Sequence, residues 1–121
     1  MASQLSVRTR AALAALVFVL PAFASEGIVG KWDVVWDTEG GVRTQQWTVS
    51  GEGETVTLEF AGNEFQGTFK DGRLEFGGDF YSAEAGYSAV LKVEGSFMDG
   101  KLSGKGTWDQ YAMSFTATRA E

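Results

Sequence analysis

The sequence contains no cysteine and no histidine, and its single proline is Pro21. Without these side chains the protein has no thiolate nucleophile and no imidazole base, and it cannot assemble the ligand sets of structural zinc sites. The lack of cysteine also excludes disulfide bonds and a lipid-modified N-terminal cysteine. A compact fold must therefore be held together by packing alone.

Residues 1–24 have the organisation of a secretory signal peptide. Two arginines precede a run of ten apolar residues, and residues 22–24 supply the small-x-small pattern that signal peptidases cleave after. An uncleaved anchor helix is the alternative, but ten apolar residues fall short of the roughly 20 needed to cross a bilayer. We therefore predict cleavage before Ser25, a secreted or periplasmic product that does not span the membrane, and one domain over residues 25–121.

Acidic side chains outnumber basic ones. Because Arg8 and Arg10 lie in the predicted signal peptide, residues 25–121 carry eight basic and sixteen acidic side chains, a net charge of −8. Such a surface repels the phosphate backbone of nucleic acids and anionic lipid headgroups, so we expect no nucleic-acid partner. The acidic residues alternate with apolar ones, as on the solvated outer faces of strands.

Sixteen glycines, none of them in residues 1–24, separate short runs in which apolar and polar residues alternate. The first run places its two tryptophans on one face, and the same period of two recurs in the later runs. Asp71-Gly72 and Asp99-Gly100 are strong signals for tight hairpin turns. The pattern predicts eight strands joined in succession.

Eight sequential strands with one apolar face leave two exposed edges unless the sheet closes on itself. We therefore predict an all-β fold, an eight-stranded antiparallel up-and-down barrel, whose interior holds side chains or one small ligand. Residues 79–86 are the least regular stretch and are predicted to form a longer loop. The rival architecture is an outer-membrane barrel, but most runs are shorter than the 9 to 11 residues that its strands need.

Two features at the ends of the predicted barrel carry a family resemblance. Gly30-Lys31-Trp32 at the start of the first strand, with Arg119 near the end of the last, resembles the calycin signature shared by lipocalins and avidin-like proteins. The resemblance implies a lipocalin- or avidin-like meander in which Trp32 closes one end and Arg119 packs over its ring by cation–π attraction. Both residues are structural on this interpretation. Avidin's polar biotin ligands have no counterparts here, so biotin binding is not implied.

The segments 30–33, 99–104 and 115–119 also look like parts of small barrel modules appended to secreted bacterial amidohydrolases. Those modules are accessory to the enzyme. This second resemblance therefore implies binding or support rather than catalysis by this chain.

Carboxylates are the remaining candidates for chemistry. Asp33 and Asp37 share one face of the first strand, but it is the face opposite the tryptophans, and catalytic carboxylates need burial to shift their pKa. Asp37 and Glu39 offer oxygen ligands for calcium, although no EF-hand spacing is present. We predict no catalytic residues, no metal site and no cofactor, and hence a protein that is not an enzyme.

Aromatic side chains on the predicted inner face or near strand ends are the candidate ligand-binding residues: Trp36, Trp47, Phe60, Tyr87, Trp108 and Tyr111. Aromatic residues with a polar atom are suited to holding an apolar ligand and orienting it. The alternative is that they simply fill the barrel as its core. The faces of Gln45 and Gln66 remain ambiguous in the pattern.

We therefore expect a non-enzymatic binding module for a small apolar molecule, with its mouth near Trp36, Trp108 and Tyr111. The alternative is a protein-interaction barrel, such as an inhibitor of an exported hydrolase or an accessory to one. In that case Phe80 and Tyr81 of the irregular stretch would be the exposed anchors of the interface.

Overall fold

The computed structural model describes residues 27–120. The predicted signal peptide and its cleavage before Ser25 lie outside this range. Residues 30–119 form eight strands: β1 (Gly30–Thr38), β2 (Gly41–Glu52), β3 (Thr55–Phe60), β4 (Asn63–Lys70), β5 (Arg73–Ser82), β6 (Tyr87–Met98), β7 (Lys101–Trp108) and β8 (Tyr111–Arg119).

Each strand pairs antiparallel with the next one along the chain, and β8 pairs with β1, so the sheet closes into a barrel. At this seam Trp32 lies opposite Arg119, and Trp36 lies opposite Phe115. The predicted eight-stranded antiparallel up-and-down barrel is confirmed.

Side chains alternate across the barrel wall as the period of two requires. Along β1, Trp32, Val34 and Trp36 point inward and are buried, whereas Lys31 and Asp33 are exposed outside. Most other outward positions are likewise polar or charged, the opposite of the apolar outer band of a barrel embedded in lipid. The orientation therefore argues against the outer-membrane alternative.

Two of the predicted hairpins close in tight two-residue turns. Asp71 and Gly72 have φ of 53° and 79°, and Asp99 and Gly100 have φ of 55° and 80°. Positive φ at both central positions is the geometry whose twist matches that of the flanking strands. The two hairpin predictions are confirmed.

Glycines inside the strands allow neighbouring strands to approach closely. A Cβ added at Gly67 would lie 2.1 Å from the carbonyl oxygen of Glu75, and one at Gly104 would lie 2.1 Å from that of Glu94. No side chain fits at such distances. These positions permit the strong coiling that a small closed barrel requires.

The prediction of a loop over residues 79–86 was wrong for residues 79–82. β5 extends to Ser82, and its ladder with β6 continues unbroken to the pair Ser82 and Tyr87, which leaves only a short turn at 83–86. Gly77 and Gly78 interrupt the alternation of apolar and polar side chains but not the ladder. A Cβ at Gly77 would lie 2.6 Å from the carbonyl oxygen of Leu91, so this glycine accommodates a close approach of the strands.

The two ends of the barrel differ. We call the end that carries residues 27–29, the end of β8 and the turns after β2, β4 and β6 the closed end, and the opposite end the open end. Buried side chains fill the closed end and the middle, among them Ile28, Leu74 and Leu102. Within the part of the chain that the structure describes, no helix has the length and apolar character that crossing a membrane would require.

Candidate ligand-binding site

The open end of the barrel contains a cavity of about 340 Å³. Its wall is largely aromatic and aliphatic, formed by Trp36, Phe60, Phe80, Leu91, Trp108, Tyr111 and Met113. The polar and small residues of its lining lie mostly nearer the rim: Thr38, Glu39, Gly40, Arg43, Gln45, Ser82, Glu84 and Ala85. A concave, mainly apolar space with a few polar groups is the usual character of a small-molecule site.

Inward positions near the open-end strand termini supply the side chains of the cavity wall. Trp36 is the last buried residue of β1, Trp108 is the last residue of β7, and Met113 lies near the start of β8. At this height the side chains converge from several strands but do not meet in the centre. The period of two therefore places these side chains inward. Because they lie near the open end of the barrel, they line the cavity and do not belong to the packed core.

An aromatic cluster forms the floor of the cavity. Trp47 is completely buried, with its ring centroid 5.6 Å from that of Phe60, 5.3 Å from that of Phe76 and 5.2 Å from that of Phe115. Contacts at these separations favour offset and edge-to-face packing of the rings. The floor is thus rigid and apolar.

Gln45 is a polar group in contact with this floor. Its Oε1 accepts hydrogen bonds from Nε1 of Trp36 and from Nε1 of Trp47, both at 2.9 Å. The two indole donors distinguish the oxygen end of the amide from the nitrogen end. Among residues 27–120 the Nε2 of Gln45 donates no hydrogen bond, and Gln45 lines the cavity.

Trp108, the last residue of β7, is held in the wall by contacts with three neighbouring residues. Its Nε1 donates a hydrogen bond of 2.9 Å to the carbonyl oxygen of Phe80. The Tyr111 ring stacks on the indole at an interplanar angle of 14° and a centroid distance of 6.3 Å, and the Tyr87 ring lies 5.0 Å away. These contacts fix the orientation of the Trp108 indole in the wall.

An ion pair spans the rim of the cavity. Nε of Arg43 on β2 donates to Glu84 in the turn after β5 at 3.1 Å, and Nη2 donates to the same carboxylate. The hydrogen bond and the opposite charge lower the pKa of Glu84 and raise that of Arg43. Both groups are solvent-exposed, so the pair orders the turn and contributes little to stability.

Tyr87 lies outside this lining, at the outer edge of the rim. Its hydroxyl donates a hydrogen bond of 2.5 Å to the carboxylate of Asp109 in the turn after β7. This bond, helped by partial burial, raises the pKa of Tyr87 to about 12. The pair ties the β5–β6 hairpin to the β7–β8 hairpin.

The structure brings four of the six predicted ligand-binding residues together in the cavity wall: Trp36, Phe60, Trp108 and Tyr111. Trp47 lies beneath the wall in the fully buried floor, and Tyr87 is 42% exposed on the rim. The sequence left open whether the interior is filled with side chains or holds a ligand cavity, and each description applies to one region of the barrel. The closed end and middle are filled, and the open end is hollow.

The two predicted anchors for a protein partner point in opposite directions. Phe80 points inward, is partly buried against the core and lines the cavity. Tyr81 points outward and is 55% exposed. The expected exposure of Phe80 was therefore wrong, because the stretch is a strand and its alternation places neighbours on opposite faces.

Trp32 and Arg119 meet at the closed end. The Arg119 guanidinium carbon lies 4.4 Å from the centroid of the Trp32 ring, and Nη1 and Nη2 donate to the carbonyl oxygens of Val29 and Gly27 at 2.6 and 2.7 Å. Nε1 of Trp32 donates to the carbonyl oxygen of Ile28 at 2.8 Å. The packing implied by the calycin resemblance is thus present in the structure.

Gln45, Arg43 and Met113 belong to the site but were not among the predicted residues. Gln45 and Arg43 share the inward series of Trp47 and Val49 along β2, so counting back in steps of two could have found them. Their polarity concealed the signal, because inward positions are expected to be apolar. Gln66 is exposed on the outer face.

The carboxylates considered for catalysis or calcium lie away from the cavity floor. Asp33 and Asp37 are exposed on the outer face of β1, where Asp33 accepts a hydrogen bond of 3.3 Å from Gln46 Nε2. Glu39 lies in the lining of the rim. Over the described range, no three acidic side chains converge as a metal site would require.

Comparison of the sequence with models of known protein families and with curated proteins found no match. The closed eight-stranded meander is compatible with the calycin-like fold that the first and last strands suggest. The function must therefore be argued from the barrel and its cavity.

Proposed function

We propose that this protein is a secreted or periplasmic, non-enzymatic, lipocalin-like module that binds a small apolar molecule in the open end of its barrel. The observation that supports this most strongly is the cavity of about 340 Å³. A chain with this aromatic content could have filled the space with side chains. Binding sites for small molecules begin at about 300 Å³, so a compact ligand of two or three rings suits the volume.

The arrangement of the wall supports binding without catalysis. The aromatic rings of Trp36, Trp108 and Tyr111 offer faces to a flat apolar ligand, and the indole N–H groups already have protein acceptors. The charged groups lie at the rim and not among the rings: Arg43 and Glu84 neutralise one another, and Glu39 is exposed to solvent. Such a site favours an uncharged ligand.

A titration with N-phenyl-1-naphthylamine, a neutral apolar fluorophore, tests the proposal. Met113→Trp should weaken its binding about five-fold or more, because the larger side chain projects into the cavity and overpacking of this kind costs about 1–3 kcal/mol. Ser114→Trp is the matched control, since the neighbouring position on β8 is exposed outside. No uptake by the wild type, or equal loss in both variants, would contradict the proposal.

The protein-interaction alternative is favoured by one observation. Tyr81 and Val90 are 55% and 51% exposed on the outer face of the neighbouring strands β5 and β6. Exposed aromatic and aliphatic side chains are common in interface centres. This alternative predicts that the fluorophore is not taken up and that Tyr81→Ala abolishes co-purification with an exported hydrolase.

A further inference from the structure

The cavity wall contains a polar group with a defined direction. The Oε1 of Gln45 accepts from two indole N–H groups, those of Trp36 and Trp47, each at 2.9 Å. A primary amide carries two acceptor positions on its oxygen and two N–H donors on its nitrogen. The protein therefore uses both positions of the oxygen and, within residues 27–120, neither donor of the nitrogen.

The position of Gln45 makes its free donors relevant to a ligand. The side chain is half-buried, lines the cavity and lies opposite Val34 in the ladder between β1 and β2. One of the two tryptophans that hold it forms part of the wall, and the other forms the floor. Rotation of the amide would break two hydrogen bonds and leave both indole donors without an acceptor, which is costly in a buried site.

Two other polar groups of the wall already donate hydrogen bonds within the protein. Thr38 Oγ1 donates to the carbonyl oxygen of Gly41, and the Arg43 guanidinium is bonded to Glu84 and to the carbonyl oxygen of Val42. Both groups lie near the rim, where water competes for hydrogen bonds. Gln45, in contrast, is bonded directly to Trp47 of the buried floor.

We infer that Gln45 is a specificity-determining residue and that the ligand is a flat aromatic molecule carrying a hydrogen-bond acceptor, of the aromatic ketone or quinone class. Nε2 of Gln45 donates to its carbonyl oxygen while the rings of the wall contact its faces. This inference rests on the proposed function. It adds a chemical class to a site otherwise defined by volume and apolarity.

Three tricyclic probes of nearly the same shape test the inference by calorimetry. Fluorene carries a CH₂ group, 9-fluorenone carries a carbonyl acceptor at the same position, and carbazole carries an N–H donor there. One neutral hydrogen bond changes affinity about three- to ten-fold, so the wild type should bind fluorenone that much more tightly than fluorene. Carbazole should gain no such advantage.

Gln45→Glu is the matching variant, measured at pH 8 where its carboxylate is ionised. The carboxylate still accepts from both indoles but has no N–H to donate. The preference for fluorenone should disappear, and carbazole should become the tightest of the three because the second oxygen can accept its N–H. Gln66→Glu is the control, because it makes the same change of charge on the outer face of β4 and should leave the wild-type order intact.

A spectroscopic readout gives a first test on the wild type alone. The carbonyl stretching band of fluorenone bound to the wild type should lie at lower frequency than in hexane, as a hydrogen-bonded carbonyl requires. Bound to Gln45→Glu it should return toward the hexane value. Thermal melting of both variants shows whether each is folded at the temperature of the titration.

The outcomes separate the inference from the proposed function. If the wild type binds all three probes equally, the assignment of Gln45 is overturned and the apolar binding function stands. If fluorenone is preferred by the wild type and equally by Gln45→Glu, the donor lies elsewhere and the assignment is again overturned. If none of the probes binds, the proposed function fails and the inference fails with it.

Discussion

The closed and open ends of the barrel use tryptophan in the same way and reach different results. At the closed end Trp32 is fully buried, its N–H is bonded to the carbonyl oxygen of Ile28, and Arg119 covers its ring. At the open end the N–H groups of Trp36 and Trp108 are also bonded within the protein. Beside them, however, about 340 Å³ is left unfilled.

The hollow end carries a cost in stability that the closed end does not. Space without partner atoms forfeits dispersion contacts, so an empty apolar cavity lowers stability. The closed end avoids this cost because residues 27–29 and Arg119 lie over its tryptophan. At the open end the strands project beyond the floor and carry rings on the wall. The closed end is therefore fully packed, whereas the open end leaves the space that the proposed ligand would occupy.

The difference in packing between the two ends is tested most directly by removing one tryptophan from each end. Trp32→Ala should lower the free energy of unfolding by about 3–5 kcal/mol, because a large side chain is lost from a fully packed site. Trp108→Ala should cost less, about 1–3 kcal/mol, because one side of its ring already faces the cavity. Urea denaturation measures both values. Equal losses would mean that the two ends are packed alike.

Replacing Arg119 alone should lower the free energy of unfolding by a smaller amount. Arg119→Ala removes two hydrogen bonds to carbonyl oxygens and the contact with the Trp32 ring, so the free energy of unfolding should fall by about 1–2 kcal/mol. Arg119→Lys should recover part of this loss, since lysine keeps the charge but not the fork. Probe binding at the open end should be unchanged. Melting of Arg119→Ala at the wild-type temperature would refute the calycin-like closure.

The smallest predicted change in stability comes from Tyr87 at the rim of the open end, and it appears only at high pH. The hydrogen bond to Asp109 raises the pKa of Tyr87 from 10 to about 12, so the neutral phenol is favoured in the folded state. Its stabilising contribution is complete below pH 10 and is lost as the pH rises to about 12. Tyr87→Phe should therefore lose less stability than the wild type between these values.

Denaturation curves at pH 9 and at several points between pH 10 and 12 measure this difference. Tyr111→Phe is a suitable control because it removes a phenol from the same rim and leaves the bond between Tyr87 and Asp109 intact. If Tyr87→Phe follows the wild type over the whole window, the bond does not couple the two hairpins.

Much of the architecture followed from local sequence features. Period-two alternation, the Asp-Gly turns and the need to eliminate sheet edges predict the eight-stranded barrel without long-range information. The loop expected over residues 79–86 was the main error in the fold. Gly77 and Gly78 break the side-chain pattern, but the backbone pairing of β5 with β6 does not depend on side chains.

The site was less predictable because it depends on depth within the barrel. Trp36 and Trp47 both point inward, yet one lines the cavity and the other lies in the floor. Their heights follow from the register of paired strands, which alternation within one strand does not reveal. The face that Gln45 occupies was ambiguous for a different reason. Inner positions are usually apolar, so a polar residue in the inward series suggests that the strand has ended. The role of Gln45 becomes visible only when two tryptophans are seen to donate to it.

The central claim, that the open end binds a small aromatic molecule, is tested most directly by the four indole N–H resonances in a ¹H–¹⁵N NMR titration with fluorenone. The four tryptophans sample the barrel along its axis: Trp32 at the closed end, Trp47 in the floor, and Trp36 and Trp108 in the cavity wall. We predict saturable shifts of the Trp36 and Trp108 resonances, a smaller shift for Trp47 and none for Trp32. Four unchanged resonances, or a shift of Trp32 as large as that of Trp36, would contradict the account.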